Sequence, residues 1–63
     1  MKTKPTVKLI GEDGNAFAIM GRVRSALRKA GYSKEEINNY YEEATSGSYE
    51  HLLSVTTEWV NVK

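Results

Sequence analysis

A chain of 63 residues that is 40% hydrophobic, with four tyrosines and one tryptophan, has room for one folded domain with a thin stability margin. It has no cysteine and a single histidine, His51, which excludes disulfides, zinc knuckles, iron–sulfur ligation, a thiol nucleophile and a histidine-based metal site. The net charge of +1 hides a split: residues 1–31 carry seven basic and two acidic side chains, whereas residues 32–63 carry two basic and six acidic ones.

Residues 1–5 are expected to form a flexible tail ahead of a single domain spanning 1–63. Thr6-Val7-Lys8-Leu9-Ile10 is β-branched and partly alternating, and stops at Gly11-Glu12-Asp13-Gly14, so it predicts a strand and a tight turn. Asn15, or Asp13 before it, is positioned to cap the helix that follows. From Ala16 to Ala30 the period becomes helical, with Ala16, Ile19, Met20, Val23, Ala26, Leu27 and Ala30 within roughly a 120° arc of a helical wheel. Gly31 stands at the position that ends a helix in the left-handed conformation, and Arg28 and Lys29 in the last turn suit the helix dipole.

Ser33-Lys34-Glu35-Glu36 spells a capping box, with Tyr32 and Ile37 at the positions of a hydrophobic staple. Ile37, Tyr40, Tyr41 and Ala44 keep helical spacing up to a stop at Thr45-Ser46-Gly47. Ser48 can cap a third helix whose Tyr49, Leu52, Leu53 and Thr56 share a face. Beyond it, Val55 to Val62 is strongly β-branched, so the helix is expected to yield to a strand near Trp59. That strand would pair Val60 and Val62 with Val7 and Leu9, since an isolated first strand cannot satisfy its backbone. The expected fold is a small α+β domain: N-terminal strand, three helices with the first two as a hairpin, and a short C-terminal strand.

Motifs for chemistry are scarce. The turn Gly11-Glu12-Asp13-Gly14-Asn15 has the outline of a phosphate-binding loop, but Glu12 and Asp13 put negative charge where the anion would lie. The same turn offers too few oxygen ligands for calcium. Around Gly31 lies a helix-turn-helix outline whose second helix carries Lys34 against four glutamates, which opposes docking on a phosphate backbone. The pairs Glu35/Glu36 and Glu42/Glu43 point about 100° apart on a helix, so they cannot share a proton as a catalytic dyad does. Nothing orients His51 or a serine for catalysis. The chain is therefore expected not to be an enzyme, and to need neither metal nor cofactor.

The surface that invites binding is on the first helix, where Phe17, Gly21, Arg24 and Arg28 form a stripe beside the apolar one. An aromatic ring, a missing side chain and two guanidinium groups suit a planar base, a phosphate or a carboxylate. The plainer alternative is that Gly21 admits a close helix and Phe17 widens the core stripe. Arg22 and Lys29 lie on another side of the helix, and Lys2, Lys4 and Lys8 would extend the positive surface. Tyr40, Tyr41, Tyr49 and Trp59 are expected in the core, or as interface anchors where exposed.

The segments Gly11-Glu12-Asp13-Gly14-Asn15-Ala16-Phe17, Gly21-Arg22-Val23, Ala44-Thr45-Ser46-Gly47 and His51-Leu52-Leu53 are similar to those of a group of short bacterial and phage proteins. That resemblance implies a bacterial or phage setting and no particular activity. With no signal peptide or membrane span in the sequence, the expected location is the cytoplasm. The functional expectation is a non-enzymatic module that binds another protein or its own copy. The alternative is a nucleic-acid-binding protein using Phe17, Arg22, Arg24, Arg28 and Lys29, with self-association and salt dependence as the discriminating observations.

Overall fold

The computed structural model describes residues 3–63. In chain order it comprises β1 (Thr6–Val7), α1 (Ala16–Lys29), α2 (Lys34–Ala44), α3 (Tyr49–Trp59) and β2 (Asn61–Val62). This is the α+β domain expected from the sequence, with β1 and β2 forming a two-stranded parallel sheet.

Each helix starts where its cap dictates. The Asn15 side chain accepts from the Phe17 amide, satisfying one of α1's free N–H groups. Asp13 in turn accepts from the Asn15 amide at 3.0 Å, so it braces the cap rather than lying in the first helical turn. The α2 capping box is complete: Ser33 Oγ accepts from the Glu36 amide at 3.1 Å, and Glu36 Oε1 accepts from the Ser33 amide at 2.8 Å. Ser48 caps α3 by accepting from the His51 amide.

The end of α1 is equally well defined. Gly31 has φ +94, its amide donates to the Arg28 carbonyl, and the Tyr32 amide reaches back to the Leu27 carbonyl. These two bonds occupy carbonyls that the last turn would leave unpaired, and they turn the chain into α2.

The strands are shorter than the β-branched runs suggest, and the register differs. Thr6 pairs with Asn61 and Val7 with Val62, while Val60 caps α3 and is fully buried. The Leu9 and Ile10 amides both donate to the Lys63 carbonyl, so the chain closes there and turns away through Gly11 at φ +84. Residues 55–59 are helical despite three β-branched side chains in the run, because Val55 and Thr56 complete α3's buried face. Tertiary burial decides what propensity left open. The chain is tied to the C-terminal segment before β1: Pro5 accepts from the Asn61 amide, and the Lys4 ammonium donates to the Thr57 carbonyl at 2.8 Å. The expected tail includes residues 1 and 2, and the expected basic surface includes Lys2; these lie outside the described residues.

The core gathers one stripe from each helix. Ile19, Met20, Val23 and Leu27 come from α1, Ile37, Tyr40 and Ala44 from α2, and Leu52 and Val55 from α3, closed by Val7 of β1 and by Val60 at the end of α3. At its centre the Tyr40 and Thr56 hydroxyls share a buried hydrogen bond of 2.8 Å. Trp59, half-buried, meets Tyr32 and Tyr40 with ring centroids 6.2 and 5.8 Å away. Its indole N–H donates to a Glu43 carboxylate oxygen, which supplies the polar partner a buried tryptophan edge needs.

Candidate functional site

The core leaves one side of α3 uncovered. On an α-helix Leu52, Val55, Thr56 and Trp59 form one stripe at i, i+3, i+4 and i+7, and all four face inward. Tyr49 and Leu53 fall at the edge of that stripe and remain 47% and 38% exposed. Beside them the turn after β1 presents Ile10, 72% exposed, and β2 presents Val62, 39% exposed. These four side chains surround a hollow of about 320 Å³ whose floor includes Ile19 and Thr56.

Tyr49 is held in place: its hydroxyl donates to the Gly14 carbonyl, tying α3 to the loop that enters α1. Tyr49 also borders a second hollow, which Phe17 lines with Met20, Ala44 and Leu52. Phe17 is 73% exposed, so it joins this apolar surface instead of the core. Five large apolar residues thus lie on one continuous face built from α3, the two ends of the sheet and the start of α1.

Charged residues flank α3's part of this face: Glu50 stands exposed in the first turn, and in the last turn the Lys4 ammonium donates to the Thr57 carbonyl beside the exposed Glu58.

The residues singled out on α1 are dispersed. Phe17 belongs to the apolar face. Arg22 bonds Glu12 at 3.1 Å, and Glu12 also pairs with Lys8 at 3.8 Å, so one carboxylate serves two cations. Lys29 lies with Arg22 along a broad groove between α1 and β1. Arg24 and Arg28 stand together, bordering Gly21 and Ser25 on one side and α2 on the other. Gly21 faces open space: an added Cβ would meet nothing within 4 Å, so no helix of this chain approaches it. Its conformational cost has no return in internal packing.

Of these, Tyr49 is among the aromatics expected in the core or, where exposed, as interface anchors, and it is exposed; Ile10, Leu53 and Val62 are not among the sequence-based candidates. Leu52 and Leu53 are neighbours, about 100° apart on the helix, and only one can face the core centre. The signal was present in the β-branched pair Val55 and Thr56, which turns the buried stripe away from Leu53.

Among the described residues no three histidine, cysteine, aspartate or glutamate side chains are grouped to hold a metal ion, and no helix is long and apolar enough to cross a membrane. His51 serves the α2–α3 loop, with its Nε2 3.0 Å from the Glu43 carbonyl and 3.2 Å from Ser46 Oγ. No protein-family description, curated protein or solved structure matches the chain.

Proposed function

We propose that the chain is a non-enzymatic protein-binding module that docks through the face of Ile10, Phe17, Tyr49, Leu53 and Val62, and that its first partner is a second copy of itself. The observation that carries this reading is the grouping, among the described residues, of the five large exposed apolar side chains on one face of a very small domain. Covering such a patch removes apolar surface from water, and aromatic residues at its rim are the usual anchors of protein interfaces.

The choice of a second copy follows from the spacing of Glu50 and Lys4 along α3. A two-fold axis places the same surface against itself, reversed. Glu50 and the Thr57 carbonyl that holds Lys4 are seven residues apart on α3, about 10 Å along its axis at 1.5 Å per residue. Leu53 lies near their midpoint. An antiparallel copy centred on Leu53 therefore sets Glu50 against Lys4 of the other chain. A bacterial or phage setting, proposed on the sequence resemblance, suits such a module.

Sedimentation equilibrium tests this directly. The wild-type chain is expected to dimerise, Leu53→Asp to remain folded and monomeric, and Glu50→Lys to weaken the dimer. The double variant Glu50→Lys with Lys4→Glu restores it. A wild-type monomer at millimolar concentration would overturn self-association and refer the face to a different protein. A dimer untouched by Leu53→Asp would overturn the face itself.

A further inference from the structure

The groove between α1 and α2 carries an independent site. Arg24 and Arg28 of α1 and Lys34 of α2 line one hollow of about 350 Å³, together with Tyr32, Ile37 and Asn38. Arg24 and Arg28 also border the adjoining hollow with Gly21 and Ser25. No acidic residue lines either one. We propose that this groove binds a compact phosphate group.

Three features carry the assignment. The first is uncompensated charge. Arg24 and Arg28 are four residues apart on one helix, a spacing at which like charges destabilise the helix, and Lys34 adds a third positive charge across the groove. Among the described residues no carboxylate forms an ion pair with any of the three, although the chain carries eight acidic residues. By contrast, Arg22 on another side of α1 is paired with Glu12, which also takes Lys8.

The second is that Arg24 is fixed and unsatisfied. Its guanidinium lies 5.2 Å from the Tyr41 ring centroid, a stacking arrangement that limits its freedom. Its Nε is buried and has no hydrogen-bond partner among the described residues, a state it shares with Nη1 of Arg22. A buried donor without an acceptor is costly, and an anion in the groove offers one.

The third is donor chemistry. Two guanidinium forks, an ammonium and the Asn38 amide match a group with several acceptor oxygens. Three positive charges favour a dianion over a singly charged carboxylate, and phosphate monoesters are mostly dianionic at neutral pH. The first-turn amide of Glu36 is already occupied by Ser33 Oγ, so the site is built from side chains rather than from the α2 terminus.

The ligand can arrive as a free phosphate compound or as a phosphorylated side chain of another protein. An NMR titration with inorganic phosphate, and with acetate and chloride at matched ionic strength, tests the site. The Arg24 Nε–H signal in the wild-type chain is its direct reporter. Saturable shifts at Arg24, Arg28, Lys34 and Asn38 with phosphate alone are expected. Removing one charge-assisted contact by Arg28→Gln or Lys34→Gln should weaken binding by about tenfold. Both side chains are exposed, so the core is left intact. Equal, non-saturating shifts with all three anions would overturn the proposal.

A phosphoserine peptide binding well above inorganic phosphate would assign a phosphorylated protein as the source, and equal binding would assign a free phosphate compound. A DNA duplex that binds more tightly than either, with shifts spreading to Arg22 and Lys29, would replace the compact site by a nucleic-acid surface. The Leu53→Asp monomer is expected to bind phosphate as the wild type does, which separates this site from the apolar face.

Discussion

Tyr40 and Thr56 put two hydroxyls at the centre of an otherwise apolar core, and each satisfies the other. Tyr40→Phe leaves the Thr56 hydroxyl buried without its partner, at a cost of about 1–3 kcal/mol. Replacing both, Tyr40→Phe with Thr56→Val, removes the unpaired group and should recover most of that loss, which urea unfolding of the single and double variants would measure. The pair also sets a pH response. Burial pushes the Tyr40 phenol above its ordinary value of 10.0, with the bond to Thr56 pulling more weakly the other way. A group whose folded value is the higher one contributes fully below its unfolded value and loses that contribution as pH rises through the folded one. Stability should therefore be unaffected by this group at neutral pH and fall above pH 10.0, and the fall should be shallower in Tyr40→Phe. Thermal melts from neutral to strongly alkaline pH check the sign.

At the scale of elements, a glycine within α1 and one just beyond its end make opposite predictions. Gly31 holds φ +94 at the end of the helix, a conformation that costs an L-residue roughly 1–2 kcal/mol, so Gly31→Ala should destabilise by about that amount. Gly21 sits in mid-helix with open space around it, and Gly21→Ala should stabilise the chain by about 0.5–1 kcal/mol. Chemical denaturation of both variants is the measurement. The same two positions show what was legible in the sequence. Gly31, the Ser33–Glu36 box and the Ser48 cap were readable because capping is local: the residues that satisfy a helix end lie within a few positions of it. Gly21's surroundings were not, because whether a helix approaches it depends on how α1, α2 and α3 pack. The register of β2 escaped for a similar reason. Val60 has strand propensity, but its burial against the core makes it the hinge between α3 and the sheet. The docking face was illegible as a unit, since Ile10, Phe17, Tyr49, Leu53 and Val62 come from four separate segments that only the closed sheet brings together. The Arg24 and Arg28 pair was visible on the helical wheel, whereas Lys34 and Asn38 joined it only through the hairpin.

For the whole molecule, a small core and a large uncovered face belong to one energetic argument. A domain of this length buries only about 60% of the surface its unfolded chain exposes, so its own stability is modest. No disulfide supplements it, as the chain lacks cysteine. Covering the apolar face in a dimer would add burial that the monomer cannot reach, and would link folding to association. For a native state held as a dimer, each tenfold rise in chain concentration stabilises the dimer by about 1.4 kcal/mol, or about 0.7 kcal/mol per chain. In a domain of 60–100 residues that corresponds to a rise in Tm of roughly 3–6 °C, at about 4–8 °C per kcal/mol of chain. Calorimetry at two concentrations tenfold apart should show that rise in the wild-type chain. In Leu53→Asp the Tm should be independent of concentration, because the charge on the two-fold axis abolishes the dimer. Its value should lie near the lower limit that the wild type approaches on dilution, since Leu53 is partly exposed and contributes little to the monomer core. If the wild-type Tm is flat across the same range, the monomer alone supplies all the stability and the apolar face is held for a partner other than itself.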